Sequence, residues 1–201
     1  NERRIPLAIA INANKVSVAE HALAVLLPMA KAVPAHDAAV RAGRWSIRNE
    51  VRGVELMDRR LLLLGFGRIG REVALRARAF GMVVAVFDPF ASSGDLAAAD
   101  VCIADDLDHA LAEADAVSLH LPLNETTRHI IDAKRLALMK PSALLVNTAR
   151  GGLVDEHALA EALAKGTIAG SAIDVFATEP PPADHPLLQA PHCLLSPHQA
   201  G

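Results

Sequence analysis

The chain has 201 residues, enough for one large domain or one and a half and for a substantial buried core. An apolar fraction of 52%, drawn mainly from Ala, Leu and Val with only 3% aromatics, is the composition of buried parallel strands interleaved with helices. The net charge of −3 with both signs interspersed argues against a nucleic-acid partner, and no apolar run approaches the roughly 18 residues of a membrane-crossing helix.

Cys102 and Cys193 are too few and too far apart for a disulfide framework or a zinc site, and read as buried thiols of a reduced, cytoplasmic protein. No signal peptide is visible, and both ends, Asn1 and Gly201, read as cut from something longer.

In chain order, Ile5–Ile11 is a short apolar run with strand character, broken by Asn12-Ala13-Asn14. Ser17-Val18-Ala19-Glu20 has the form of a capping box and predicts a helix through Ala22–Leu27 that bends near Pro28 and Pro34. Arg41-Ala42-Gly43-Arg44-Trp45 closes this arm. Being apolar on more than one side and carrying two prolines, Ser17–Trp45 reads as an extended element that packs on a second subunit.

The pattern then changes. Leu61–Leu64 reads as a buried strand, followed by Gly65-Phe66-Gly67-Arg68-Ile69-Gly70. A helix runs on to Phe80, with Val73, Ala74, Ala77 and Phe80 on its buried face and Gly81 as its cap. Met82–Phe87 is a second strand ending at Asp88. Helices over Leu107–Glu113, Asp132–Met139 and Glu156–Lys165 alternate with strands over Ala116–His120, Ala143–Asn147 and Ile168–Val175. Alternation at this spacing predicts an α/β fold of the Rossmann kind, a doubly wound parallel sheet with helices on both faces.

The glycine motif gains weight from its setting between a strand and a helix, with an acid ending the next strand. Gly65 permits the tight turn, Gly67 lets the backbone approach a pyrophosphate, and Gly70 lets helix and strand pack closely. Asp88 is placed to accept the ribose hydroxyls and to repel a 2′-phosphate, which favours NAD over NADP.

Two further clusters carry chemistry. In Asn147-Thr148-Ala149-Arg150-Gly151-Gly152 an arginine follows a strand where open α/β sheets bind ligands, and its guanidinium can grip a carboxylate with two hydrogen bonds. Asp174–Pro180 and Ser196-Pro197-His198-Gln199-Ala200-Gly201 supply acids and a histidine. A histidine titrates near neutrality and can take a hydroxyl proton, and a carboxylate beside it fixes the ring and supports the imidazolium.

Taken together and in this order, Ser17–His21, the glycine motif, Asn147–Asp155, Asp174–Pro180 and Pro197–Gly201 resemble the D-isomer-specific 2-hydroxyacid dehydrogenases, over nearly the whole chain. The resemblance implies an NAD-dependent oxidoreductase that moves a hydride between NAD and a small D-2-hydroxy acid or its 2-oxo acid. It implies that Arg150 binds the substrate carboxylate and carbonyl oxygen, that His198 is the acid/base and that Glu179 is its partner. It also implies that Arg68 and Ile69 hold the pyrophosphate through their backbone, and that Pro122, Thr127, Thr148 and Ala149 line the cofactor groove. Asp174 is implied at the nicotinamide end, with His198 and Gly201 at its edge. Glu179, where related formate dehydrogenases carry an amide, argues for 2-hydroxy acids. The same resemblance implies a homodimer. It also implies that residues 1–13 are the end of a preceding substrate domain, mostly absent here, and that 14–201, with the arm 17–45, are the dinucleotide-binding domain, so that this chain alone turns over poorly.

His21 reads as structural, and His120 as a border of the cofactor site. His36, His109, His129, His157, His185 and His192 have no ligand spacing and read as surface or packing residues, so no metal is expected. Trp45 reads as a subunit contact. The competing readings are an NAD-sensing corepressor-like binding protein of the same family and a different Rossmann enzyme such as a homocysteine-nucleoside hydrolase. The order Arg150, Glu179, His198 argues against the second of these.

Overall fold

The computed structural model describes residues 13–201. The strand expected at Ile5–Ile11 lies outside the described residues. Two helices come first, α1 (Lys15–Ala30) and α2 (Val33–Arg41), then the short α3 (Ile47–Glu50). The sheet is built from β1 (Arg60–Leu64), β2 (Val83–Phe87), β3 (Cys102–Ile103), β4 (Ala116–Leu119), β5 (Leu144–Asn147), β6 (Gly170–Ile173) and β7 (Cys193–Leu195). Between the strands run α4 (Arg68–Ala79), α5 (Ser93–Ala98), α6 (Leu107–Glu113), α7 (Ala133–Leu138) and α8 (Glu156–Ala164).

All the pairings are parallel, and the strand order is β3-β2-β1-β4-β5-β6-β7. The expected doubly wound sheet is therefore present. The chain leaves β1 toward β2 on one side and later returns to pair β4 on the other, which makes β1/β4 the switch point where such sheets open a crevice.

β1 explains why the sheet is covered on both faces. Leu61, Leu62, Leu63 and Leu64 are all fully buried, because side chains that alternate along a strand meet helices on each side. Leu61 and Leu63 join the core formed with α1 and α4, through Ala19, Ala22, Val73, Ala74 and Ala77. Leu62 and Leu64 join the opposite core with α6, α7 and α8, through Leu111, Leu136, Leu159 and Leu163.

Several local expectations are corrected. α1 starts at Lys15, with Asn14 at its cap position, so Ser17 is already inside the helix and forms no capping box. Its hydroxyl instead donates to the Ala200 carbonyl oxygen at 2.7 Å. α1 runs through Pro28 to Ala30; the break falls at Ala32, whose φ is +51°, and α2 leaves at 58° with Pro34 in its first turn, where a missing N–H costs no helical bond. α1 is buried against its own sheet rather than extended away from it. Phe80 is 44% exposed, because the helix has already ended there and Gly81, at φ +73°, turns the chain away. Cys102 is exposed on the edge strand β3, and Cys193 is half-buried on β7, so neither is an ordinary core thiol. The strands β3 and β7 and the helix α5 were not expected from the sequence. No single helix among the described residues is long and apolar enough to cross a membrane.

Candidate active site

The glycine turn is shaped by what it lacks. Gly65 sits at φ +99°, and a Cβ there would meet the His120 carbonyl oxygen at 2.7 Å. A Cβ on Gly70 would fall 2.3 Å from the Gly65 carbonyl oxygen, which is how α4 comes to start hard against the end of β1. Gly67 is the opposite case: nothing lies within 4 Å of where its Cβ would be. That open space belongs to a groove of about 820 Å³ running over the carboxyl ends of the strands. The first amide groups of α4 face it, with the positive end of the helix dipole behind them.

Asp88 follows β2 directly and braces the same turn. One of its carboxylate oxygens accepts the Phe66 N–H at 2.7 Å and the other accepts the Phe90 N–H at 2.9 Å.

The far wall of the groove comes from the segments after β4, β5 and β7. Pro122, Thr148, Ala149, Arg150, His198 and Gly201 all line it, as do Gly67, Arg68 and Ile69 on the near side. Thr127 does not; its hydroxyl donates to the Pro122 carbonyl oxygen at 2.7 Å and so fixes the loop that presents Pro122. The wall also has members that the sequence reading missed, Leu121 and Leu123 after β4 and Asn14, Lys15 and Val18 from the start of α1. His120 lines the groove with its Nε2 2.9 Å from the Ser118 hydroxyl. Burial pushes its pKa down to about 4, so this ring is uncharged at neutral pH.

Arg150 stands at the end of β5. Its carbonyl oxygen accepts a hydrogen bond from the Asn147 side-chain amide at 2.9 Å, and its guanidinium donates to the Ala149 carbonyl oxygen at 2.6 Å. The turn can come this close to the segment after β6 because position 151 is glycine; a Cβ there would lie 2.0 Å from the Phe176 backbone.

His198 and Glu179 meet. The His198 Nδ1 is 2.7 Å from Glu179 Oε2, while Glu179 Oε1 accepts the Phe176 N–H at 2.9 Å. The His198 bond, and then the Phe176 amide, hold the Glu179 carboxyl below the usual carboxylate range, so it is ionised at neutral pH. Arg150, Glu179 and His198 share a second pocket of about 300 Å³ that adjoins the groove. His198 adopts φ +53°, a conformation that side chains rarely take. It is kept there by Asp174, whose carbonyl oxygen accepts the His198 N–H at 2.7 Å.

The Asp174 carboxylate was expected at the nicotinamide end of the groove. It is 1% exposed, does not line the groove and is turned into the chain. It accepts from the Ser196 hydroxyl at 2.6 Å and from the Gln199 and Ala200 amides at 3.1 Å each. His21, read as structural, reaches this network from α1: its Nε2 is 3.1 Å from the Ser196 hydroxyl and 3.5 Å from Asp174 Oδ1.

The groove suits an extended polar molecule with negative charge at its centre. The Thr148 hydroxyl, on its wall, is the one buried side-chain polar atom without a partner among the described residues, and so has a hydrogen bond to give. Gly67 leaves room for a close approach at the amino end of α4. Among the described residues no group of acids, histidines and cysteines could hold a metal ion. Fold and site thus define a doubly wound dinucleotide-binding domain whose groove ends at an arginine and a histidine–carboxylate pair.

Comparison with known proteins gives the family. The sequence model for "D-isomer specific 2-hydroxyacid dehydrogenase, NAD binding domain" matches residues 23–200, and the chain belongs to that family. It is 41% identical over 198 residues to the D-3-phosphoglycerate dehydrogenase of Methanocaldococcus jannaschii, covering 98% of this chain and 37% of that protein. To the (S)-sulfolactate dehydrogenase of Chromohalobacter salexigens it is 44% identical over 200 residues, covering 100% of this chain and 64% of the relative. The crystal structure of D-lactate dehydrogenase with NAD+ from Lactobacillus jensenii superposes with a TM-score of 0.85 at 30% identity, over 96% of this chain and 61% of that one. The chain therefore spans between about a third and two thirds of the length of these relatives.

Proposed function

We propose that the chain is the cofactor-binding and proton-transferring part of an NAD-dependent dehydrogenase acting on small D-2-hydroxy acids and their 2-oxo acids. The observation that carries this reading is the 2.7 Å contact between His198 and Glu179 beside Arg150, at one end of a groove that begins at the glycine turn. Gly67, Arg68 and Ile69 hold the pyrophosphate, and Asp88, with its negative charge, holds the adenosine ribose and turns away a 2′-phosphate. Bound NAD supplies the hydride acceptor, and in its reduced form the donor.

Arg150 grips the substrate carboxylate through its planar guanidinium and thereby orients the carbon that carries the hydroxyl. Neutral His198 takes the hydroxyl proton at Nε2, since Nδ1 faces Glu179. The ionised Glu179 fixes the ring and stabilises the imidazolium; in the reverse direction the same imidazolium returns the proton to the oxo acid. Neutral His120 and the Thr148 hydroxyl border the cofactor without adding charge to it. We further infer that the protein is a homodimer through α2 and the following turn, where Val33, Val40 and Trp45 stand 50%, 49% and 67% exposed. Light scattering that finds a monomer at micromolar concentration overturns this assembly.

The test of the reaction uses the full-length protein that carries this chain, with NADH consumption followed over a panel of 2-oxo acids. His198→Ala is expected to lose about two to four decades of turnover while keeping NAD binding. Near-normal turnover in that variant removes His198 from the mechanism.

A further inference from the structure

The pocket shared by Arg150, Glu179 and His198 has a second arginine on its wall, Arg128, which no step above uses. Arg128 lies in the loop after β4, and backbone hydrogen bonds clamp that loop to the turn after β5. The His129 N–H donates to the Gly152 carbonyl oxygen at 2.9 Å, the Ile131 N–H to that of Leu153 at 3.1 Å, and Ile131 and Val154 form a parallel bridge. The clamp lays the Arg128 side chain over Gly152, where a Cβ would stand 3.5 Å from a guanidinium nitrogen. One residue separates this glycine from Arg150.

Several arginines outside the site have acids to hold. Arg41, Arg60, Arg76 and Arg135 each pair with a carboxylate. The Arg128 side chain makes no hydrogen bond or ion pair with any described residue. The acid in its pocket, Glu179, already spends one oxygen on His198 and the other on the Phe176 amide. The pocket thus presents two guanidinium groups and no free counter-charge. A guanidinium offers paired donors that match the oxygens of a carboxylate or a phosphate.

We propose that Arg128 is a specificity-determining residue that binds a second anionic group, at the end of the substrate away from the carboxylate held by Arg150. The protein then selects 2-hydroxy acids that carry a further carboxylate or phosphate. This rests on the reading that Arg150 and His198 flank the reacting carbon.

The test compares kcat/KM of the full-length protein for oxaloacetate, for 3-phosphooxypyruvate and for 2-oxobutanoate, which has a single negative charge. The unmodified protein is expected to favour at least one of the two doubly anionic acids. In Arg128→Gln the ratio of kcat/KM for that acid over 2-oxobutanoate is expected to fall about tenfold or more, through KM, as for loss of a charge-assisted hydrogen bond. Arg128→Lys restores part of the ratio, since it returns the charge without the paired donors. A fall confined to oxaloacetate identifies a dicarboxylic substrate, and one confined to 3-phosphooxypyruvate a phosphate ester. A ratio unchanged in Arg128→Gln, or an unmodified protein with no preference for either doubly anionic acid, overturns the role of Arg128 alone. If the unmodified protein reduces none of the three acids or any other 2-oxo acid, the dehydrogenase reading itself falls, and this inference with it.

Discussion

Two turns at the carboxyl edge of the sheet, Gly65–Gly70 after β1 and Ser196–Ala200 after β7, are shaped by opposite means. The first is shaped by absent atoms: Gly65 and Gly70 can approach neighbouring backbone only because they have no Cβ. The second is shaped by one buried carboxylate, Asp174, which gathers a hydroxyl and two amides around itself. A steric turn is written in consecutive residues and depends on nothing distant. A polar turn needs an acceptor supplied by another strand and fails if that acceptor is lost.

The comparison can be broken most severely at Asp174. Asp174→Ala leaves the Ser196 hydroxyl and the Gln199 and Ala200 amides without their acceptor, and should cost about 3 kcal/mol or more by the penalties for unsatisfied buried donors. Denaturant unfolding measures this, and a loss below about 1 kcal/mol would mean that the turn holds its shape by other bonds.

On the steric side, Gly70→Ala forces a methyl into the Gly65 carbonyl and should destabilise by about 1–3 kcal/mol. Gly67→Ala meets no protein atom within 4 Å and should leave the unfolding midpoint nearly unchanged while weakening NAD binding, because its methyl enters the groove. Calorimetry that finds full NAD affinity in Gly67→Ala would show that the cofactor does not approach that backbone.

Asp88 sharpens the contrast, since it is a polar brace on the steric turn. Asp88→Ala should weaken NAD binding by about 1–3 kcal/mol and narrow the gap to NADP. The effect on stability should be smaller than at Asp174, because the glycines keep the turn in shape without the brace.

The smallest change expected appears at the acid end of the pH axis. Glu179 has a depressed pKa in the folded protein, so its charge supports the His198 contact above that value and the support is lost as pH falls through it. Glu179→Gln removes the charge at every pH. The turnover of the full-length protein and of the variant should therefore differ at neutral pH and converge as pH falls through the Glu179 pKa; a difference that does not shrink means that Glu179 only positions the ring.

The same contrast explains what could be read from the sequence. The four leucines of β1 and the glycines after them are a local pattern with a local cause, and so are the alternating helices and strands that give the doubly wound sheet. Ser17 looked like a cap because Glu20 follows it at the right spacing, but its partner is Ala200, 183 residues away. Asp174 was placed at the nicotinamide end by resemblance to the family, and nothing near it in the chain reveals that two amides and a hydroxyl will converge on it. The edge strands β3 and β7 are two and three residues long, too short for any periodicity to show. Arg128 follows two threonines in a loop with no motif, and only the clamp between two loops brings it beside Arg150. The pairing of His198 with Glu179 came from resemblance to a family, since the spacing of the two residues does not specify a contact.

The bonds from Ser17 to the Ala200 carbonyl oxygen and between His21 and Ser196 tie the turn that carries His198 to α1, across 183 and 175 residues of chain. In the language of amide hydrogen exchange, α1 and this turn make one opening unit. The Gln199 and Ala200 amides should then share the protection of the α1 amides rather than that of β7, the edge strand that precedes them by only a few residues. Loosening the helix, by heat or by a substitution in its buried face, would let solvent reach the turn while the rest of the sheet stays closed.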